Sequence, residues 1–116
     1  MTHAPTIFER IVAREIPAEI VFENERVIAI RDIAPQAPVH LLVVPKTAEF
    51  ANVAELAASN PALLAEVVAI ANTLAVEHCN DEFRLVFNTG ASAGQTVFHV
   101  HAHVLGGQLE EGKLAG

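Results

Sequence analysis

The segment that decides the fold lies near the end of the 116-residue chain and reads Phe98-His99-Val100-His101-Ala102-His103-Val104-Leu105-Gly106-Gly107. Polar and apolar side chains alternate along it, which predicts a β-strand from Phe98 to Leu105 that stops at the glycine pair. Because successive strand side chains point to opposite faces, His99, His101 and His103 share one face, about 6.5–7 Å apart. The other face carries side chains suited to a core, namely Val100, Ala102 and Val104.

Upstream of this strand, the sequence predicts a short helix and three strands. Apolar residues at helical spacing follow Thr6, a suitable N-cap, and Pro17 ends that helix. Strands are expected at residues 19–23, 26–32 and 39–44, with a tight hairpin at 24–25 and a proline-containing loop at 34–38. The third strand is almost continuously apolar, so we expect it to be covered on both faces.

A long helix follows these strands. Asn60 is a suitable N-cap and Pro61 suits the first helical position, so the helix should run to about His78. One or two helical turns are expected before it, within 52–58, and a strand is expected after it at 83–88. The order of elements predicts an α+β domain in which a mostly antiparallel, five-stranded sheet carries one long helix and a short N-terminal helix.

Composition excludes several classes of protein. Lys and Arg total 7 against 14 Asp and Glu, giving a formal charge of −7, and Trp and Tyr are absent. The chain therefore lacks the basic stripe and stacking aromatics of a nucleic-acid binder. A single cysteine, the lack of a signal-peptide core and the lack of an apolar run of about 18 residues predict a cytoplasmic protein that does not enter membranes. We expect one domain over 1–116, with flexible tails at 1–5 and 108–116.

The three histidines predict a functional site. Imidazoles in a row on a strand are rarely structural, because each needs its own hydrogen-bond partners. Two of them could hold a zinc or iron ion, or one could be a nucleophile or base that the others orient. Spacing alone leaves both interpretations open. The neighbouring loop favours a phosphate ligand, because Gly90 and Gly94 let backbone N–H groups turn inward while Gln95 and Thr96 add side-chain donors.

From Thr6 to Gly107 the chain resembles the histidine triad (HIT) family, and within it the Hint branch of nucleotide-binding phosphoramidases. The resemblance covers several separate segments: Thr6-Ile7-Phe8, Glu15-Ile16-Pro17-Ala18, Asp32-Ile33-Ala34-Pro35-Gln36-Ala37-Pro38-Val39-His40, Val44-Pro45-Lys46, Asn88, Gly94-Gln95-Thr96 and the histidine segment with its glycine pair. It implies the HIT fold and a homodimer whose sheet extends across both subunits. It also implies hydrolysis of purine nucleoside phosphoramidates or aminoacyl-adenylates, without a metal or other cofactor.

The resemblance also implies roles for the histidines. His101 would be the nucleophile that attacks the α-phosphorus and forms a nucleotidyl-histidine intermediate. His103 would contact the phosphate oxygens or the leaving group, and His99 would help to fix the imidazole of His101. His40 would complete the cluster as an orienting partner.

The remaining implied residues bind the AMP-type purine nucleotide. Asp32 would accept hydrogen bonds from the ribose hydroxyls, with Ile33 beside it. The phosphate and the leaving group would be held by Asn88, Gly94, Gln95 and Thr96, and the apolar slot for the purine would be formed by Phe8, Ile11 and Ile30. The chain departs from the family where Ile30 replaces a frequent aromatic residue and where the C-terminal stretch lacks a Trp-Pro end.

Other functions stay open at this point. A second hypothesis is a dinucleoside polyphosphate hydrolase like the Fhit branch, but the Pro-Gln-Ala-Pro-Val-His stretch and the short N-terminal helix favour the phosphoramidate hydrolase. A nucleotide-binding regulatory protein would not need the nucleophile His101. A His-x-His metalloenzyme would bind a stoichiometric metal ion and be inhibited by chelators.

Overall fold

The computed structural model describes residues 4–110, so part of each predicted tail (1–3 and 111–116) lies outside the described residues. The elements follow in the order α1 (Ile7–Val12), β1 (Ile20–Glu23), β2 (Val27–Arg31), β3 (Val39–Pro45), α2 (Val53–Ser59), α3 (Pro61–Cys79), β4 (Phe83–Val86), a 3₁₀ turn (Ala91–Ala93) and β5 (Ala102–Gly106). The predicted order is confirmed, and most predicted strands are shorter by one or two residues.

The five strands form one sheet in the order β1-β2-β3-β5-β4. Every neighbouring pair is antiparallel. β3 occupies the centre and its residues from 40 onward are buried, which confirms the expectation of cover on both sides. The sheet therefore places β3 and β5 side by side, and these two strands carry His40 and His103.

The two faces of the sheet are covered unequally. One face packs on α2 and α3, through a core that includes Leu41, Val43, Leu56 and Leu74. The opposite face is covered in part by the single short helix α1, whose Phe8 packs with residues of β2 and β3. The area that α1 leaves uncovered is where the predicted site residues gather.

The long helix begins where the sequence predicts. The Asn60 side chain accepts a hydrogen bond from the Leu63 N–H, and Asn80 ends the helix in the left-handed conformation. By length and composition α3 is apolar enough to cross a membrane, but its inner face packs on β3 and β5. Its outer face carries exposed apolar residues, with Val68 40% and Val76 53% exposed.

The last strand begins later than predicted. The alternation predicts a strand from Phe98, whereas β5 starts at Ala102. The ladder ends because the partner strand β3 finishes at Pro45, which has no N–H to donate. The Val100 N–H instead donates to the Phe50 carbonyl at 2.9 Å. Of the three histidines, only His103 is therefore in the strand.

Candidate active site

The four predicted histidines gather on the sheet face that α1 covers in part. His40 lies on β3 opposite Leu105, so it is a diagonal neighbour of His103 on β5. The rings of His101 and His103 have centroids 5.1 Å apart. Phe8 of α1 contacts the rings of both His99 and His101. The structure thus brings together the four histidines that the sequence analysis predicts to be catalytic.

A backbone contact determines the tautomer of His101. Its Nδ1 lies 2.8 Å from the carbonyl oxygen of His99. A carbonyl only accepts hydrogen bonds, so Nδ1 carries the hydrogen and Nε2 keeps its lone pair. Burial lowers the pKa of His101, although the hydrogen bond to the His99 carbonyl opposes this shift. A neutral imidazole with a free Nε2 is the form that acts as a nucleophile.

The side chain of His99 is completely buried and anchored at both nitrogens. Its Nε2 lies 2.6 Å from the Pro45 carbonyl oxygen, and its Nδ1 lies 2.8 Å from the Thr6 hydroxyl. Since the Pro45 carbonyl can only accept, Nε2 donates to it and Nδ1 accepts from Thr6. His99 therefore acts on His101 through a backbone carbonyl whose position these contacts fix.

A second chain of hydrogen bonds determines the tautomer of His103. The Gln36 N–H donates to His40 Nδ1 at 3.0 Å, which leaves the hydrogen of neutral His40 on Nε2. That Nε2 lies 2.9 Å from His103 Nδ1 and 3.5 Å from an Asp32 carboxylate oxygen. His103 Nδ1 therefore accepts and its Nε2 carries a hydrogen. Among the described residues this Nε2 is buried without a hydrogen-bond partner, which makes it a donor available to a ligand.

Burial also keeps this second pair neutral. It lowers the pKa of His40, with the Asp32 carboxylate opposing the shift. The pKa of His103 falls to about 4, first because of burial and then because of the charges that His101 and His40 carry when protonated. At neutral pH the imidazoles of His40, His101 and His103 are therefore uncharged, as the roles of nucleophile and donor require.

One set of groups among residues 4–110 could hold a metal ion by distance. Asp32, His40 and His103 offer ligand atoms within 4.8 Å of one another. Ligand atoms around a tetrahedral zinc ion lie about 3.3 Å apart, close to the 2.9 and 3.5 Å found here. However, a metal at His40 Nε2 would move the ring hydrogen to Nδ1, where the Gln36 N–H already points. The hydrogen-bond pattern therefore favours a relay between imidazoles over a metal site.

The loop before the histidines departs from prediction at Gln95. Its buried side chain donates to the Ala51 and Val97 carbonyls and accepts from the Gly90 N–H. Because both ends of this amide are used internally, Gln95 holds the shape of the loop and does not supply a side-chain donor to a phosphate. Gly94 adopts a left-handed φ of 96°, as a tight loop requires. Thr96 is exposed, so its hydroxyl remains accessible.

A cleft of about 410 Å³ opens beside the relay, and it is lined by Asp32, Ala34, Gln36, His40, Asn88, Gly94, His103 and Leu105. The predicted ribose and phosphate residues Asp32, Asn88 and Gly94 thus meet the relay histidines in one cavity. One Asp32 oxygen accepts from the Ala34 N–H and orders the turn, while the other faces His40. Ile33, next in sequence, is 93% exposed.

The residues predicted to form the apolar slot for the purine pack against one another and leave little open space between them. Phe8, Ile11 and Ile30 are each 5% exposed and pack in one cluster. They can present only an edge to a base. The exposed side chain of Ile33 is the larger apolar surface near Asp32.

The comparisons with known proteins agree with this geometry. A model of the HIT domain matches residues 13–110. The chain belongs to the histidine triad (HIT) family. An uncharacterised HIT-like protein of Synechococcus elongatus is 48% identical over 104 residues, spanning 89% of this chain and 90% of that protein. A purine nucleoside phosphoramidase of Escherichia coli is 39% identical over 105 residues, spanning 89% and 87%.

Solved HIT structures share the architecture. The structure of a HIT family hydrolase from Clostridium thermocellum superposes with a TM-score of 0.85 at 46% identity. The match covers 92% of this chain and 94% of that chain. The fold predicted from the sequence, a HIT fold with a five-stranded antiparallel sheet, one long helix and a short N-terminal helix, is confirmed.

Sequence reasoning missed the groups that set the tautomers of this HIT site. The Gln36 N–H and the Pro45 carbonyl are backbone groups, and a pattern of side chains does not predict their contacts. Thr6 was identified as an N-cap, which the structure confirms, but its hydroxyl also contacts His99. The capping motif gives no signal of this second contact, because the two residues are 93 positions apart.

Proposed function

We propose that this protein hydrolyses purine nucleoside 5′-phosphoramidates, or the equivalent acyl phosphate bond of aminoacyl-adenylates, through a nucleotidyl-histidine intermediate on His101. The observation that carries the proposal is the 2.8 Å contact between His101 Nδ1 and the His99 carbonyl. It leaves Nε2 as the nitrogen with a free lone pair. The name of the Escherichia coli relative supports the same substrate class.

The reaction is a double displacement at phosphorus. His101 Nε2 attacks the α-phosphorus, and the bond to the leaving nitrogen breaks with its electron pair, after which that nitrogen takes a proton from solvent. The imidazole now carries a positive charge, which the His99 carbonyl stabilises through the Nδ1 hydrogen bond. Water then attacks the phosphorus and releases one proton to solvent, and the electron pair of the P–N bond returns to Nε2. The sum is substrate plus water giving a nucleoside monophosphate and an amine, or an amino acid where the substrate is an aminoacyl-adenylate.

His103 supplies the donor for the phosphate oxygens in this mechanism. Its buried Nε2 hydrogen has no partner among the described residues. A non-bridging oxygen of the transition state would accept that hydrogen, because a prepositioned donor in a water-poor site stabilises developing charge. Asp32 and Ile33 would bind the ribose hydroxyls and the purine.

The charge of the cleft favours a phosphoramidate over a dinucleoside polyphosphate. None of the residues described as lining the cleft is Lys or Arg, and Asp32 adds a carboxylate. Neutral donors suit one phosphate group with a single negative charge. A polyphosphate chain carries several charges and would call for cationic side chains.

The decisive experiment measures hydrolysis of adenosine 5′-phosphoramidate in excess EDTA by the wild type, His101→Ala and His78→Ala. His78 lies near the end of α3, so His78→Ala controls for loss of a histidine as such. We expect turnover by the wild type and His78→Ala and none by His101→Ala, which should still bind AMP within about fivefold of wild type. Full activity of His101→Ala would overturn the mechanism. Diadenosine polyphosphates as the preferred substrates would move the protein to the Fhit-like alternative.

We further propose that two copies form a homodimer through α3 and β4. The outer face of α3 presents exposed Ala65, Val68, Ala69 and Val76, and β4 is one of the two edge strands of the described sheet. An apolar helix face beside an open strand edge is suited to a second copy related by two-fold symmetry. Cytoplasmic location, and the absence of nucleic-acid and membrane partners, stay predictions.

A further inference from the structure

A hydroxyl at the start of α1 contacts the histidine cluster from outside the cleft. Thr6 is the N-cap of α1, and its Oγ1 accepts the Glu9 N–H at 3.1 Å. The same oxygen lies 2.8 Å from His99 Nδ1. A hydroxyl can accept one hydrogen bond while donating another, so both contacts coexist.

The donation has a fixed direction. His99 Nε2 gives its hydrogen to the Pro45 carbonyl at 2.6 Å, so the Nδ1 of the neutral ring has only a lone pair to offer. Thr6 must therefore be the donor. The ring of His99 is completely buried, and a buried acceptor that loses its donor is costly to leave unsatisfied.

The consequence reaches the nucleophile through one residue. The backbone carbonyl of His99 accepts the Nδ1 hydrogen of His101. That carbonyl lies outside the regular ladder, since β5 begins at Ala102. The Val100 N–H of the same peptide group donates to the Phe50 carbonyl at 2.9 Å, and the His99 side chain is anchored at Thr6 and Pro45. The orientation of the His99 carbonyl therefore depends on both sets of contacts.

We propose that Thr6 is a positioning residue, whose hydroxyl orients His99 so that the His99 carbonyl holds the imidazole of His101 for attack. This inference rests on the proposed function for its kinetic consequence, and its structural part stands independently. Thr6 is not among the residues described as lining the cleft, and its described side-chain hydrogen bonds go to Glu9 and His99. Its effect should therefore fall on kcat and spare KM.

Three variants separate positioning from helix capping. Thr6→Val keeps the shape of the side chain without the hydroxyl, and Thr6→Ser keeps the hydroxyl. Glu9→Ala removes the other half of the capping box, in which the Glu9 carboxylate accepts the Thr6 N–H. We expect Thr6→Val to lower kcat on adenosine 5′-phosphoramidate by about ten- to hundredfold with KM within threefold, since small misplacements of reacting groups cost this much. Thr6→Ser and Glu9→Ala should keep kcat within about threefold of wild type.

An NMR measurement tests the same inference without activity. The ¹⁵N shifts of the wild type should identify His99 as protonated at Nε2 and unprotonated at Nδ1. Thr6→Val should shift the His99 ring nitrogens and the low-field Nδ1 proton of His101, whereas Glu9→Ala should leave them in place. A wild-type His99 protonated at Nδ1 would refute the donation by Thr6, even where a variant failed to fold.

The remaining outcomes are equally informative. Equal kinetic losses in Thr6→Val and Glu9→Ala would reduce Thr6 to a helix cap and overturn the proposal. Wild-type protein without turnover, but with the expected NMR shifts, would count against the proposed function and leave the positioning contact supported.

Discussion

The Nε2 atom of His40 lies 2.9 Å from the Nδ1 atom of His103, on the neighbouring strand. The Gln36 N–H behind His40 makes this contact directional, with His40 donating and His103 accepting. The proton on the far nitrogen of His103 is therefore set by the backbone N–H of a loop residue that bonds to His40. This arrangement resembles the outer-shell partners that orient functional histidines in other sites.

Two substitutions of His40 should separate its two hydrogen bonds. Asn places an oxygen near the position of Nδ1 and keeps the Gln36 contact but not the donation to His103. Gln reaches the position of Nε2 and retains a donor. We expect His40→Asn to lower kcat about ten- to hundredfold, and His40→Gln to retain more activity. Steady-state kinetics on adenosine 5′-phosphoramidate measures both, and equal rates in the two variants would contradict the relay.

The pH dependence of kcat/KM follows from the depressed pKa values. Burial lowers the pKa of His101 below 6.5 and that of His103 to about 4. The neutral forms are the active ones, so a lower pKa extends activity toward acid. We expect kcat/KM to be level near neutral pH and to reach half of its maximum only below pH 6.5, where the free enzyme gains protons. A half-maximal point above pH 6.5 would show that His101 is not shielded from solvent.

Gln95 should affect stability more than its neighbour does. Gln95→Ala removes hydrogen bonds to the Ala51 and Val97 carbonyls and from the Gly90 N–H. We expect a loss of about 2–4 kcal/mol in the free energy of unfolding, because these groups are left without partners. Thr96→Ala, at an exposed position, should cost less than about 0.5 kcal/mol. Urea denaturation of both variants makes the comparison, and equal losses would mean that the Gln95 amide does not hold the loop.

The dimer can be tested on the outer face of α3. Val76 is 53% exposed, and Val76→Asp would place a charge in the proposed interface. We expect this variant to elute as a monomer while the wild type and Ala57→Asp, on the exposed side of α2, elute as dimers. Size-exclusion chromatography with light scattering gives the masses. A wild-type monomer across the micromolar range would refute the dimer.

Local signals in the sequence predicted most of the fold. Asn60 and Pro61 start α3 as their capping chemistry requires. The apolar run of β3 correctly predicted that this strand is buried, because a strand covered on both faces needs apolar residues at nearly every position. The predicted start of β5 was wrong, because alternation continues to Phe98 while the pairing of β5 with β3 ends at Ala102 and Val43. Alternation reports which side chains face a core and does not report backbone pairing.

The sequence by itself determined the family, the order of the elements and the histidines of the site, since each follows from residue types and local patterns in their order along the chain. Only the tertiary structure decided which ring nitrogen of each histidine carries its hydrogen. Those hydrogens are assigned by Gln36, by Pro45 and by the His99 carbonyl, which the fold brings to the rings. Pro45 reaches His99 across 54 positions of sequence. An imidazole is a donor at one nitrogen and an acceptor at the other according to its partners, and partners so distant in sequence meet only when the sheet has formed.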